Sequence, residues 1–261
     1  MKLEKILKDV EYEVIQGNIN LEIDDITYDS RKANERVPFV ALKGFRVDGH
    51  DYIDSAISLG CKCIFVSDDV KVDDSVTVIK LKDTRTDLSK LSRTLFNYPD
   101  KELTVIAITG TKGKTTTSCM IKKMIEDSGN SCGLIGTMGV FYKDKFYHTM
   151  NTSPESYDVF KYMREMIDNG IKYLVMEVSS QSLKLKRWSN VIFDYAVFTN
   201  LSLDHVGEDE HPDFDDYKYC KSLLFKQCKV GLFNIDSEYA SYMMKDTTCS
   251  KYTFGKSNDA D

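Results

Sequence analysis

The sequence has 261 residues, 42% of them hydrophobic and 29% charged, with a formal net charge of −6. That balance fits a globular chain with room for one large or two modest domains, and it argues against disorder. No long lysine or arginine block is present, so a general nucleic-acid surface is not expected, while a single basic pocket for a small anion remains compatible.

The first residues, MKLEKILKDVEYEV, are charged and amphipathic rather than secretory, and no apolar run approaches membrane-spanning length. Seven cysteines (Cys61, Cys63, Cys119, Cys132, Cys220, Cys228 and Cys249) follow neither a zinc spacing nor an extracellular disulfide framework. The cytoplasm is the expected compartment. Cys61-Lys62-Cys63 would set two thiols on one face of a strand, where burial of small residues is favoured over metal binding.

Up to Pro99 the pattern is mixed. ITYDSRKA (26–33) and VPFVALKG (37–44) come first, and a helix is predicted from about Tyr52 with Ile53, Ala56 and Ile57 inward. CIFV (63–66) and VTVIKL (76–81) read as strands, TRTDLSKLSRTLF (84–96) as a helix. Asn97-Tyr98-Pro99-Asp100 breaks the pattern, so the domains are expected to be 1–98 and 99–261.

Beyond the break, strands and helices alternate. A strand at 103–109 precedes a helix at 115–127, CGLIGT offers a strand, and PESYDVFKYMREMIDNG a helix. KYLVMEVS (172–179) and YAVFTN (195–200) are strands, DFDDYKYCKSLLFKQC a helix, and KVGLFN (229–234) another strand. Such alternation predicts an α/β fold with a mainly parallel sheet covered by helices, and a site at the strand C-termini.

The first candidate for that site is TVIAITGTKGKTTTSCMIKKMI (104–125). A buried strand ends in a glycine-rich turn, and a helix follows in which Met120, Ile121, Met124 and Ile125 supply the apolar face. Only two residues separate Gly110 from Gly113, so the strict G-x-x-x-x-G-K-[ST] pattern is not met, and Ile108 holds its first glycine position. The physics of a phosphate loop survives the shortening. Backbone N–H groups converge at the positive end of a helix, Lys114 can neutralise terminal phosphates, and the Thr115 hydroxyl can ligate Mg²⁺. The competing reading is a glycine-rich surface turn.

Glu177 ends the strand YLVME, and Asp204-His205 follows the next strand, so a carboxylate and an imidazole can approach the same mouth. A polar strand end is the plainer reading of Glu177, and His205 alone is weak evidence because magnesium prefers oxygen ligands. Asn151-Thr152-Ser153-Pro154-Glu155 is a polar turn opening a helix, either a plain cap or a grip on an anionic or sugar-like ligand. Arg187 offers a planar donor fork, Trp188 is expected to pack, and Lys221, taken alone, reads as a solvated helix lysine.

Taken in order, these segments resemble the first part of a bacterial Mur ligase, most nearly of the tripeptide-synthetase (MurE) type. TGTKGKTT (109–116) is similar to the family's short ATP loop, with Lys112 in place of the more familiar asparagine. YDSRKA and GFRVDGHDYI resemble the nucleotide-sugar-binding first domain, and NTSPES (151–156) the substrate-binding N-T-T-P-E-S segment. MEVSSQSL (176–183) resembles the catalytic strand end, with Gln181 where histidine is common, and FTNLSLDH (198–205) the following metal-site motif. EHPDFDDYKYCKSLL resembles the segment carrying the family's carbamylated lysine, which here would be Lys221.

The resemblance implies a small UDP-substrate-binding domain, then a partial P-loop ATPase-like central domain, and an ATP-dependent amide ligase. Such an enzyme adds a diamino acid, L-lysine or meso-diaminopimelate, to UDP-N-acetylmuramoyl-L-alanyl-D-glutamate. It implies an ATP loop of Thr109, Gly110, Thr111, Lys112, Gly113, Lys114 and Thr115. Lys114, Glu177, His205 and Lys221 would be catalytic, with Mg²⁺ on Thr115, Glu177, His205 and carbamylated Lys221. Asn151, Thr152, Ser153, Ser179 and Arg187 would position the muramyl dipeptide, and Tyr28, Ser30, Phe45, Arg46 and Val47 the uridine nucleotide. A monomer without membrane insertion or nucleic-acid partner is expected. The family's C-terminal amino-acid-binding domain has no counterpart among these motifs, so the chain alone is expected not to complete the reaction. The alternatives are a non-catalytic UDP-sugar or nucleotide-binding fragment, and an unrelated P-loop hydrolase.

Overall fold

The computed structural model describes residues 1–44, 47–204, 206–207 and 210–261, and the chain divides into two compact units, Met1–Tyr98 and Pro99–Asp261.

In the first unit α1 (Leu3–Ile6), β1 (Tyr12–Gln16), β2 (Phe39–Val40), α2 (Ile53–Ser58), β3 (Cys63–Val66), β4 (Thr77–Leu81) and α3 (Thr84–Leu95) follow in turn. The strands form one sheet in the order β1-β4-β3-β2, parallel except for β1 against β4. β3 is buried along its whole length, which explains why CIFV carries no polar alternation. Ile53 and Ala56 of α2 join Ile64, Val66, Val76 and Val78 in the core, with Ile57 packed against it. Cys61 and Cys63 lie in the interior, where burial pushes both thiols up, so they behave as small apolar groups. α3 starts where the Asp83 carboxylate caps the Arg85 N–H at 3.0 Å.

The second unit contains β5 (Thr104–Thr109), α4 (Lys114–Asp127), β6 (Cys132–Gly136), β7 (Gly139–Tyr142), β8 (Lys145–Tyr147), α5 (Ser156–Asp168) and β9 (Tyr173–Glu177). It continues through α6 (Ser180–Lys184), β10 (Phe193–Phe198), α7 (Phe214–Ser222), β11 (Cys228–Asn234), α8 (Ala240–Met244) and β12 (Ser250–Phe254). The sheet order is β12-β11-β10-β5-β9-β6-β7-β8. β12 through β6 run parallel, and the β7–β8 hairpin, which alternation alone did not predict, extends the edge in antiparallel sense. β5 therefore lies between the two later strands whose C-terminal ends were singled out. Register sets Ile108 beside Glu177 and Thr109 beside Phe198, so three strand ends open onto one crevice.

One expectation needs correction. Ile121 and Ile125 of α4 pack on the sheet core, but Met120 and Met124 are 61% and 71% exposed. With about 100° between successive residues, the stripe that meets the sheet is narrower than the four-residue face read from the sequence.

Candidate active site

The turn after β5 is shaped by its neighbours. A Cβ on Gly110 would come 1.9 Å from the Thr199 hydroxyl, and Gly113 has φ +82° at the mouth of α4, so both positions require glycine. Thr199 donates to the Lys112 carbonyl at 2.9 Å, and Asn200 both receives the Lys112 N–H (2.9 Å) and donates to its carbonyl (3.0 Å). Thr111 Oγ1 accepts the Ser202 N–H at 3.0 Å and meets the Tyr217 hydroxyl at 3.1 Å. Thus the loop is fixed by the 199–202 segment and by α7, not by its own sequence alone. The Lys112 ammonium, exposed, pairs with Asp204 at 2.8 Å.

The Lys114 ammonium curls back over the turn to the carbonyls of Gly110 (2.9 Å) and Thr111 (3.1 Å). Burial lowers its pKa, opposed by Glu177 and reinforced by Lys112. Lys221 reaches the same Gly110 carbonyl from α7 at 3.0 Å and lies over the Tyr217 ring, 4.6 Å from its centre. It is only 2% exposed, the reverse of the solvated lysine that the helix pattern alone suggested. Desolvation, with the Lys114 charge adding to it, holds its pKa well below the ordinary lysine range.

Across the loop Glu177 is fully buried. Its carboxylate accepts the Thr115 hydroxyl (3.0 Å), the Thr137 hydroxyl (3.0 Å) and the Thr137 N–H (3.1 Å). Among the described residues, every hydrogen-bond partner of that carboxylate is a neutral hydroxyl or amide. Gly136 leaves it room, since a Cβ there would sit 2.3 Å from Oε1. Thr137 was missed in the sequence, because a threonine after a short strand carries no signal until the fold sets it beside β9.

Thr137 also meets Thr152 at 3.1 Å, which joins the NTSPE turn to Glu177. Ser153 donates to the Glu177 carbonyl (3.0 Å) and accepts the Ser179 N–H (3.2 Å). Arg187 donates to the Ser153 carbonyl (2.6 Å) and pairs with Glu155 (2.7 Å), so it braces this turn directly. Asn151 stands exposed at the rim. Gln181 has both amide atoms buried without a partner, and so is the Nε of Arg187. Trp188 packs edge-on against Phe193 and donates to Ser182 at 2.7 Å, as expected for a structural indole.

His211, fully buried, was not anticipated either. Its Nδ1 contacts Asp216 at 2.6 Å and its Nε2 contacts the Ser180 hydroxyl at 2.9 Å. Ligand atoms of His211, Asp216 and Cys220 lie within 4.8 Å of one another. Lys184 already supplies the counter-charge on Asp216 at 2.7 Å, and burial raises the Cys220 thiol to about 11, so this cluster is closed by its own bonds. A cavity of about 330 Å³ lined by Asn200, Leu201, Asn234, Asp236, Ser237 and Glu238 opens beside the loop.

In the first unit, Tyr28 and Ser30 follow the Thr27–Phe39 bridge, and Ser30 is buried at the start of a 3₁₀ turn capped by the Asp29 carboxylate. Val47 is 51% exposed and its carbonyl accepts the Gly44 N–H at 2.8 Å. These segments flank β2. Phe45, Arg46 and His205 lie outside the described residues.

A mainly parallel sheet with a glycine-lysine-threonine turn at its centre, facing a buried carboxylate, defines an α/β domain built around a strand–turn–helix unit. Residues 108–261, more than half the chain, match the family model described as Mur ligase middle domain, and residues 22–95 match that described as Mur ligase family, catalytic domain. The chain belongs to the Mur ligase family.

It is similar to UDP-N-acetylmuramoyl-L-alanyl-D-glutamate–2,6-diaminopimelate ligase 1 of Clostridium acetobutylicum, at 41% identity over 261 residues, covering 100% of this chain and 54% of that protein. It is similar also to the 2,6-diaminopimelate ligase of Clostridium perfringens, at 40% identity over 266 residues, covering 99% and 54%. A solved structure of such a diaminopimelate ligase shares the fold, with a TM-score of 0.83 at 23% identity over 100% of this chain and 54% of that one. The chain spans about half the length of the curated relatives it matches. Among the described residues no helix is long and apolar enough to cross a membrane.

Proposed function

We propose that this chain carries the nucleotide site and part of the acceptor site of an ATP-dependent ligase that joins a diamino acid to UDP-N-acetylmuramoyl-L-alanyl-D-glutamate. The observation that carries the reading is the pair of opposite surfaces around Gly110–Thr115. The half-buried Lys114 amine and the buried Lys221 amine rest on the Gly110 carbonyl, and a buried carboxylate with only neutral donors among the described residues receives the Thr115 hydroxyl. An anionic phosphate suits the Lys114 side, and a magnesium ion suits the carboxylate, which a carbamate on Lys221 would join.

Thr115 and Glu177 would hold the Mg²⁺, with His205 and carbamylated Lys221 completing the set. The ion supplies charge neutralisation on the phosphates. Burial holds the Lys221 pKa well below the ordinary lysine range and so favours the neutral amine, the form that adds carbon dioxide, and the carbamate would turn Lys221 into an oxygen ligand. Lys114 would stabilise the transferring phosphoryl group as the D-glutamyl side-chain carboxylate takes it from ATP, releasing ADP. The amine of the diamino acid then attacks the acyl phosphate, the amide bond forms, and phosphate leaves. Ser153, Ser179 and Arg187 would orient the acceptor, with Asn151 and Thr152 at its rim. The unspent donors and acceptor of Gln181 and Arg187 Nε support a polar ligand there. Tyr28, Ser30, Phe45, Arg46 and Val47 would take the uridine end. Diaminopimelate is favoured over lysine because the similar curated proteins carry that name.

Calorimetric titration of the chain with the non-hydrolysable analogue AMP-PNP, across a magnesium series, tests the nucleotide site. Lys114→Ala should weaken binding by about tenfold or more, and Thr115→Ala should shift the magnesium dependence. Unchanged isotherms for both variants would remove the assignment. Mass spectrometry of the UDP-linked product, with diaminopimelate and lysine offered separately, tests the acceptor. Binding with little product is expected from this chain, since activation and amine attack need both reactants held together.

A further inference from the structure

Two short contacts tie the helix beside Glu177 to the helix that carries Lys221. The first runs from the Ser180 hydroxyl through the His211 ring to the Asp216 carboxylate, at 2.9 and 2.6 Å. The second runs from the Lys184 ammonium to the same carboxylate at 2.7 Å. Ser180 and Lys184 are the two ends of α6, and Asp216 lies in the first turn of α7. His211 is fully buried and Ser180 is 3% exposed, so the His211–Ser180 bond is shielded from water, while the Asp216 carboxylate is partly exposed. The His211 ring also packs against Tyr217, 5.2 Å between centroids.

Both helices lead to opposite walls of the site. α6 starts directly after Ser179, which caps its N-terminus, donates its N–H to the Ser153 hydroxyl, and stands two residues beyond Glu177. Beyond Asp216, α7 delivers the Tyr217 hydroxyl to Thr111 and the Lys221 amine to Gly110. A displacement of α7 relative to α6 therefore moves Lys221 and Tyr217 off the loop while Glu177 stays with its strand. An error of about 1 Å of that kind is enough to degrade a site whose groups must act together.

We propose that His211 is a positioning residue: with Ser180 and Asp216 it clamps α7 to α6 and so fixes the Lys221 amine relative to the Glu177 carboxylate. Neither of its nitrogens is free, and the ring is enclosed away from the loop itself, so it acts through other residues and does not touch the nucleotide. This inference rests on the nucleotide reading above, and it adds a component that the phosphate-loop motif does not contain.

The test uses the intact chain and Mg²⁺–AMP-PNP as probe, with dissociation constants measured well below each variant's melting temperature. His211→Ala should weaken binding about tenfold, the scale of outer groups that orient a site. Ser180→Ala, a small change that leaves the fold intact, should weaken it in the same direction. The double variant should be no worse than His211→Ala, because both break one unit. Asp216→Asn, which keeps an acceptor for His211, should recover most of what Asp216→Ala loses. A purely structural histidine would lower the melting temperature while leaving the affinity of the folded chain alone. Folded His211→Ala and Ser180→Ala chains with affinities within twofold of the parent, where Lys114→Ala still weakens binding, would overturn the clamp and leave the nucleotide reading standing. No binding by the parent chain would overturn both.

Discussion

Two buried ionisable groups, Glu177 and Lys221, face the Gly110–Thr115 loop from opposite sides, and the protein houses them differently. Glu177 receives three donors from two elements, two of them at 3.0 Å and one at 3.1 Å. Among the described residues Lys221 meets one carbonyl and the face of one tyrosine ring, with the Lys114 charge opposing its ammonium form and Asp204 favouring it. The carboxylate is thus integrated into the fold, and its bonds bring β6, α4 and β9 into register at the site. The amine is tolerated by the fold. A buried amine held by so few contacts fits the ligand role proposed for Lys221.

That contrast breaks if the two sites respond alike to removal. Glu177→Ala should be the most damaging change. It orphans the Thr115 and Thr137 hydroxyls and the Thr137 N–H in a closed space, at a cost of about 2–4 kcal/mol in unfolding free energy. Denaturant unfolding would measure it, and a loss below about 0.5 kcal/mol would mean that water already shares this carboxylate.

The amine should give the opposite sign. Lys221→Met keeps much of the side-chain volume and removes a buried polar amine together with the cost of desolvating it, so the ligand-free chain should be unchanged or more stable by up to about 2 kcal/mol. The same variant should lose magnesium-dependent nucleotide binding. The sign also has a pH signature. Because the folded-state pKa of Lys221 lies below its ordinary 10.5, the unfolded chain holds the proton more tightly. Its contribution to stability therefore grows as pH rises from the folded value to about 10.5, and Lys221→Met should flatten that rise. A clear destabilisation at all pH values would show that the amine is structural after all.

The two walls also differed in how far they could be read from the chain. The strand-turn-helix at Thr104–Asp127 is local chemistry, a continuous apolar strand followed by glycines, and its boundaries fell within a residue of the pattern. Glu177 was legible because it ends an apolar strand. The α7 wall was not, because Lys221, Tyr217 and His211 acquire their meaning only when β10 pairs beside β5 and α7 is brought to the loop. A lysine within a polar helix gives no sign of burial before that pairing exists. Resemblance to a family supplied Lys221, but neither pattern nor resemblance supplied Thr137 or the Ser180–His211–Asp216 chain. Met120 and Met124 failed for a simpler reason: periodicity finds an apolar stripe but not how much of it the sheet will cover.

The smallest effect expected is on acid stability, and it sharpens the view that the α7 wall is held by His211. Burial holds the His211 pKa below its ordinary 6.5, against the opposing pull of Asp216 and with Lys184 and Lys221 pushing the same way as burial. Tyr217 and Cys220, which share its surroundings on α7, are raised by burial to about 12 and about 11 and stay neutral in mild acid. For Asp216, burial works against ionisation but the hydrogen bonds from Lys184 and His211 outweigh it, so its pKa lies below the ordinary 3.8 and the carboxylate stays charged in mild acid. The sign follows. A histidine with a depressed folded pKa binds its proton more tightly when unfolded, so its share of stability is complete above about 6.5 and declines as pH falls toward the folded value. Thermal melts of the parent and His211→Asn between about pH 7.5 and 5.5 isolate this effect, because every other group titrates in both chains. The melting temperature of the parent should fall further than that of the variant over that interval, and the gap between the two should narrow as pH drops. A gap that stays constant, or widens in acid, would mean that the ring carries its proton in the folded chain and that the Asp216 contact is an ion pair rather than a neutral clamp.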